Sequence, residues 1–186
     1  MEILSARALA FLAATVASLA CIAAETSEAA LERRVKAVFV SKFAGYVEWP
    51  ASAFREPGSP FVIGVAGADS LVEELEQAIA GRAVGERPMR VRRLGPTEPM
   101  GNCCQIVFVG RGVDRDRASE MLSTTQGKPI LTVTESDKGQ HQGSVINFLA
   151  ADGRIRFDIS REAADRNGLR VSSQLLAVAR QVKGAP

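Results

Sequence analysis

Three short apolar runs constrain the fold of this chain more than any other feature. They are Phe61–Ala66 (FVIGVA), Gln105–Gly110 (QIVFVG) and Pro129–Thr134 (PILTVT). Apolar runs of this length are typical of strands that are buried on both faces, as in a parallel sheet covered by helices. The segments after the first two runs carry apolar residues at helical spacing. This alternation of strands and helices predicts an α/β fold.

A hairpin follows the third run and makes the predicted sheet mixed. Val145–Leu149 and Arg154–Ile159 both have strand character and are separated by Ala-Ala-Asp-Gly. Asp-Gly supplies the positive φ that a tight antiparallel connection needs. The 186 residues, 46% of them hydrophobic, suffice for one packed domain and are too few for two ordinary ones. We therefore expect a single-domain α/β sandwich with a central mixed β-sheet flanked by helices on both faces.

The amino-terminal segment has the pattern of an export signal. Ala8–Ala20 contains no charged residue, and small residues follow it. The uncharged stretch ends at Ala24, which is at the lower limit for a membrane span and favours cleavage over anchoring. We expect a signal peptide over 1–24, a domain over 25–186 and a periplasmic location. A lipoprotein anchor at Cys21 is the alternative, although Ser stands where such a motif usually has an aliphatic residue.

The first helix ends beside the only tryptophan. Apolar residues recur at helical spacing over Leu31–Val47. The helix must stop at Trp49-Pro50, because proline restricts the residue before it and has no amide N–H. Trp49 either caps the core or serves as a hot spot for a protein partner. It is the candidate partner-binding residue.

Charge and histidine content argue against several classes of function. With 23 basic and 21 acidic side chains the net charge is +2, so no strong field indicates a nucleic-acid partner. The basic segment Arg90–Arg93 has no interleaved aromatic residues and is interpreted as a solvated strand face. His141 is the only histidine and lies in a polar loop, so a catalytic triad or a histidine-rich metal site would depend on it alone. We predict no catalytic, cofactor-binding or metal-binding residues.

Cys103 and Cys104 are the residues of this sequence that most strongly indicate specific chemistry. They are adjacent and stand at the start of a predicted buried strand, in a chain with an export signal. Three states are open: a vicinal disulfide, a bridge between two subunits, or reduced thiols with Cys104 in the core. Because a vicinal bridge is more easily reduced than a relaxed one, the pair is a candidate disulfide or redox site.

Three separated segments together resemble the YfiR-like family of periplasmic regulators. The segments are Val35–Phe39 continuing to Val47-Glu48-Trp49-Pro50, then Cys104–Val109, and finally Gly143–Phe148 with Arg154–Ile159 and Leu169–Leu176. Their order and spacing cover roughly residues 31–182. The sequence departs from the family pattern at Ser160, where the family usually has Asn. No cysteine occurs between Cys21 and Cys103, so the disulfides of the best-understood member cannot all be matched.

The resemblance implies an exported α/β domain with a central sheet and no known catalytic activity. The best-understood member of the family represses a membrane diguanylate cyclase by engaging its periplasmic sensory part, which lowers cyclic di-GMP in the cell. The main hypothesis is therefore a non-enzymatic regulator whose partner is a membrane-bound diguanylate cyclase or another membrane sensor protein. A homodimer is an open possibility, and neither a nucleic acid nor a cofactor is expected.

Two other classes of function stay open. One is a periplasmic small-molecule-binding receptor whose loops at the strand ends hold a solute. A deep apolar cavity would favour it, whereas a flat apolar patch would favour protein docking. The other is an enzyme centred on His141 or on the two adjacent cysteines.

Overall fold

The computed structural model describes residues 27–95, 98–136 and 143–184. The predicted signal peptide over 1–24, Cys21 and His141 lie outside the described residues, so their roles stay predictions. Five helices and ten strands occur in the described part of the chain.

The helices and strands alternate along most of the chain. The helices are α1 (27–46), α2 (Asp69–Ile79), α3 (Arg115–Ser123), α4 (Arg161–Arg166) and α5 (Ser173–Val178), with a 3-10 turn at Ala51–Ala53. The strands are β1 (Val47–Glu48), β2 (Phe61–Ala66), β3 (Ala83–Val84), β4 (Arg87–Arg93), β5 (Ile106–Val109), β6 (Leu131–Glu135), β7 (Ile146–Ala151), β8 (Arg154–Ser160), β9 (Arg170–Val171) and β10 (Gln181–Lys183).

Eight of the strands form one central mixed sheet in the order β10-β8-β7-β6-β5-β2-β4-β3. The pairs β7·β8 and β3·β4 are antiparallel, and the other neighbours in this sheet are parallel. Strands β1 and β9 form a separate antiparallel pair. The three apolar runs became the adjacent strands β2, β5 and β6, which confirms the predicted α/β fold with a mixed sheet.

Helices cover both faces of the sheet, because the buried strands alternate their side chains between two apolar layers. Ile106 and Phe108 of β5 point to the layer that contains α1 and α2. Val107 and Val109 point to the layer that contains α3. In the first layer Phe43 of α1 packs on the sheet, with its ring centroid 5.3 Å from that of Phe157.

The hairpin between β7 and β8 turns at the predicted dipeptide. Asp152 has φ 52° and Gly153 has φ 66°, the two consecutive positive values of a type I′ turn. Asn147 lies in the middle of β7 and is fully buried. Its Nδ2 donates to Ser136 O at 3.2 Å and its Oδ1 accepts from Thr134 Oγ1 at 2.9 Å. Both ends of this buried amide are therefore hydrogen-bonded, as burial of a polar group requires.

The end of the chain differs from the expected helix. Helical spacing of the apolar residues from Leu175 to Val182 predicts that the last helix includes Val182. This prediction is wrong, because α5 ends at Val178 and residue 179 is extended. Val182 instead pairs with Ile159 in a parallel register, so the chain adds an edge strand to the sheet. The guanidinium of Arg180 binds the buried carboxylate of Asp158, and this hydrogen bonding raises the pKa of Arg180. That ion pair fixes the start of β10.

Candidate functional site

The two adjacent cysteines lie at the amino-terminal edge of the central sheet, just before β5. Both are free cysteines, and Cys104 Sγ faces Cys103 Sγ as a hydrogen-bond donor. Cys104 is 4% exposed and belongs to the apolar layer on the α3 side, whereas Cys103 is half-buried. Cys103 also donates to Met100 O at 3.4 Å. Cys104 thus lies in the core, and the three states that the sequence left open for the pair stay predictions.

The position of Cys104 depends on a glycine in the neighbouring strand. Strand β2 carries Gly64, and a Cβ there would lie 2.6 Å from Cys104 Sγ and 2.7 Å from a methyl carbon of Leu94. A larger residue at this position would displace one of these side chains. The glycine in the run FVIGVA therefore makes room for the buried thiol.

The cysteines open into a cleft of about 390 Å³. Four parts of the chain form its walls: the 3-10 turn with the residues that follow it, the start of β2, the segment before β5 and the segment before β6. The lining residues from these parts include Ala53, Arg55, Pro60, Val62, Asn102 and Pro129. A second cleft shares Arg55, Arg92 and Cys103 with the first and extends to Lys128. Cys103 lines both clefts, whereas Cys104 lines only the first.

Cations outnumber anions around the thiols. Arg55, Arg92 and Lys128 line the two clefts with one carboxylate, Glu98. Arg92 and Glu98 form an ion pair. Arg55 lies over the cleft wall, where its Nη2 donates to the carbonyl oxygen of residue 102 at 3.2 Å. The cleft therefore presents an excess of positive charge beside Cys103.

Gln105 holds the cleft wall in place. Its side-chain carbonyl accepts from Val62 N at 2.8 Å, and its Nε2 donates to Ala53 O at 2.6 Å. These bonds tie the start of β5 to β2 and to the 3-10 turn. Sequence reasoning missed Gln105, Arg55 and Lys128 as parts of one site. The one available signal was a polar Gln at the head of an otherwise apolar run.

The two thiols have different acidities. The hydrogen bond from Cys104 and the nearby guanidinium of Arg92 lower the pKa of Cys103, against the opposing effects of burial and of Glu98. The same hydrogen bond and burial raise the pKa of Cys104. Since the thiolate is the nucleophile of cysteine chemistry, Cys103 is the more reactive member of the pair.

Trp49 lies away from this cleft and is not among its lining residues. It is half-buried, its Nε1 donates to Ala44 O at 3.0 Å, and its ring meets that of Phe61 edge-on at 5.1 Å. These contacts place the indole over the end of α1 and the start of β2, as a cap on the core requires. The structure does not bring Trp49 and the cysteines together, and a partner contact by Trp49 stays a prediction.

A smaller crevice of about 250 Å³ lies at the carboxyl ends of β2, β5 and β6. Lys36 of α1 is 5% exposed there and forms ion pairs with Glu32 and Glu135. The loops at this edge pack tightly: a Cβ at Gly110 or at Gly112 would lie 2.6 Å from the carbonyl oxygen of residue 67. The crevice is therefore small, and its buried ammonium is already paired with two carboxylates.

The described residues also limit two other kinds of site. In the ranges 27–95, 98–136 and 143–184 no helix combines the length and the apolar character needed to cross a bilayer. Nor do these ranges bring together three or more His, Cys, Asp or Glu side chains that could hold a metal ion.

A comparison with known protein families matches this architecture. The model of the family described as YfiR/HmsC-like matches residues 33–180. The match starts in α1, runs through the central sheet and the cysteine pair, and ends just before β10. Most of the chain lies inside it, so the resemblance carried by the sequence motifs is confirmed. The chain belongs to the YfiR/HmsC-like family.

Proposed function

We propose that this chain is an exported, non-enzymatic regulator of cyclic di-GMP signalling. It acts by binding the periplasmic sensory part of a membrane diguanylate cyclase. The observation that carries the proposal is the family match over residues 33–180. The export signal expected over 1–24 and the resemblance to a repressor of such a cyclase support it.

Regulation of this kind works through differential affinity. A ligand shifts the equilibrium between two states of its partner only by as much as it binds one state better than the other. A protein ligand needs an accessible surface for this, and α1 offers apolar side chains to the outside. Leu31 is 61% exposed and Val38, two turns further along the same face, is 42% exposed. These residues support protein docking on the outer face of α1.

The alternative, a receptor for a small solute, would use the carboxyl edge of the sheet. Ligands of open α/β sheets bind there, where neighbouring strands connect in opposite directions. In this chain the crevice at that edge measures about 250 Å³, below the usual range of roughly 300–1,000 Å³ for ligand pockets. Its buried Lys36 ammonium is already paired with two carboxylates. This geometry argues against a solute site at the carboxyl edge of the sheet.

The deciding experiment is a clean chromosomal deletion of the gene, followed by measurement of intracellular cyclic di-GMP. We expect the level to rise and to return when the full-length gene is restored. A gene lacking codons 2–24 should fail to restore it, because the product would stay on the wrong side of the membrane. Removing the responsible membrane cyclase as well should abolish the rise.

The binding step is tested separately with purified proteins. The full chain should bind the isolated periplasmic part of that cyclase and should not bind the cyclase's cytoplasmic domain, which is the matched control. The proposal is wrong if the deletion leaves cyclic di-GMP unchanged while the cyclase is active. It is also wrong if the rise persists without any membrane cyclase.

A further inference from the structure

From the cleft geometry we infer that Cys103 and Cys104 form a thiol–disulfide exchange site for small disulfides that carry carboxylate groups. Cys103 is the attacking thiol and Cys104 the resolving thiol. The site is independent of the proposed cyclase partner, since its chemistry requires only this chain and a small disulfide.

The arrangement of the two sulfur atoms assigns these roles. Cys103 lines both clefts and is half-buried, so an incoming disulfide reaches its Sγ first. Cys104 is 4% exposed and lies behind it, with its Sγ facing that of Cys103. A mixed disulfide on Cys103 therefore forms within reach of Cys104. The lowered pKa of Cys103 supports the same assignment.

The charge around the thiols selects the class of substrate. Arg55, Arg92 and Lys128 line the clefts that Cys103 borders, and Glu98 is the one carboxylate among the lining residues. Arg92 forms an ion pair with Glu98. Arg55 and Lys128 are therefore the cations that we expect to bind a carboxylate of the substrate. Lys128 also lies over Gly101, two residues before Cys103. Cationic walls raise the local concentration of anions, so a disulfide with carboxylates is favoured over a neutral one.

The exchange proceeds in two balanced steps. Cys103 loses its proton and its thiolate attacks one sulfur of the substrate R–S–S–R. The substrate S–S bond breaks, the first R–S⁻ leaves and takes up the released proton, and Cys103 carries a mixed disulfide. Cys104 then loses its proton and attacks Cys103 Sγ, and the second R–S⁻ leaves with that proton. The two cysteines are oxidised to a vicinal disulfide, and the substrate is reduced to two thiols.

The test uses the full chain with Cys21→Ser, so that Cys103 and Cys104 are the only thiols. The chain is reduced, freed of reductant and incubated with glutathione disulfide, and intact mass is followed over time. At the end of the reaction we expect the mass of the chain to be lower by two hydrogens, with no glutathione adduct. Cys104→Ser should stop at one stable glutathione adduct on Cys103, and Cys103→Ser should react far more slowly. Circular dichroism checks that each variant is folded.

Charge selection is tested with a matched neutral substrate, hydroxyethyl disulfide. Lys128→Gln should slow the reaction with glutathione disulfide by roughly threefold to tenfold and leave the neutral reaction unchanged. Added salt should slow only the charged reaction. The proposal is overturned if Cys103→Ser reacts as fast as the parent, or if Cys104→Ser accumulates no adduct. It is also overturned if the parent forms disulfide-linked dimers, or if Lys128→Gln affects both substrates equally.

The pH dependence of alkylation separates a hydrogen bond from simple packing. Cys104→Ser keeps an O–H donor for Cys103, whereas Cys104→Ala removes it. A donor stabilises the thiolate and lowers its pKa, so Cys103 should be alkylated at lower pH in Cys104→Ser than in Cys104→Ala. Identical pH profiles for the two variants would show that a donor at position 104 does not activate Cys103. That result would overturn the role given to Cys104 beside the attacking thiol.

Discussion

Asn167 offers the sharpest test of how the helices are attached to the sheet. It lies at the end of α4 and is 4% exposed. Its Oδ1 accepts from Gly127 N at 3.1 Å, and its Nδ2 donates to Ile130 O at 2.8 Å. The side chain thus joins α4 to the turn between α3 and β6, close to the wall of the cysteine cleft. We expect Asn167→Ala to destabilise the domain strongly.

The size of this destabilisation follows from the hydrogen bond that each backbone partner of Asn167 loses. A buried hydrogen bond contributes about 1 kcal/mol net, so two lost bonds amount to about 2 kcal/mol. Gly127 is exposed, and its N–H can turn to water. Ile130 is only 2% exposed, so its carbonyl is stranded and adds a desolvation cost of about 1–2 kcal/mol. The expected loss is about 3–4 kcal/mol, which corresponds to a Tm lowered by roughly 6–16 °C.

Urea denaturation followed by circular dichroism measures this loss, with Tm from a thermal scan as a second reading. Asn102→Ala is the matched control, because Asn102 is exposed and the same atoms are removed. Its effect should stay within about 0.5 kcal/mol. A loss below about 1 kcal/mol for Asn167→Ala, or one equal to that of the control, would refute the argument that these two bonds attach α4 to the sheet.

Two further substitutions probe the two edges of the sheet. Gly64→Ala should lower the free energy of unfolding, measured by urea denaturation, by about 1–3 kcal/mol, because the new Cβ meets Cys104 Sγ. Adding Cys104→Ala to the same chain should recover part of that loss. If the losses from the two substitutions simply add, the contact is contradicted. Lys36→Met should lower the free energy of unfolding by about 3 kcal/mol, because it leaves the Glu135 carboxylate buried beside an apolar side chain. Glu32→Gln should lower it by less than about 1 kcal/mol, because the Glu32 carboxylate is more exposed. Equal losses would contradict this ranking.

The sequence predicted the central strands well because their burial leaves a local signature. The run Phe61–Ala66 coincides with β2, and the hairpin strands lie within two residues of their predicted bounds. Ser172, a residue type that caps helices, stands at the head of α5, and its Oγ accepts from Leu175 N at 3.3 Å. Burial, turn chemistry and capping are set by residues a few positions apart, so a single sequence contains them.

Features set by contacts between distant residues were missed. Strand β3 has two residues and depends on pairing with β4, so it has no pattern of its own. Val182 fits a helical stripe, and only the free edge of β8 and the ion pair of Arg180 with Asp158 draw it into β10. Tertiary pairing decided both cases against local propensity.

The site was missed for a related reason. Arg55 and Lys128 are 73 positions apart in the sequence and meet only because parallel strands place the starts of β2, β5 and β6 at one edge. General knowledge of α/β sheets directs attention to the opposite edge, where the strands end. In this chain that edge is occupied by close loop packing and by the paired ammonium of Lys36. The amino-terminal edge keeps an open cleft, surplus positive charge and two unequal thiols, so it is the edge where the sequence supplies a reactive pair and the fold leaves Cys103 accessible.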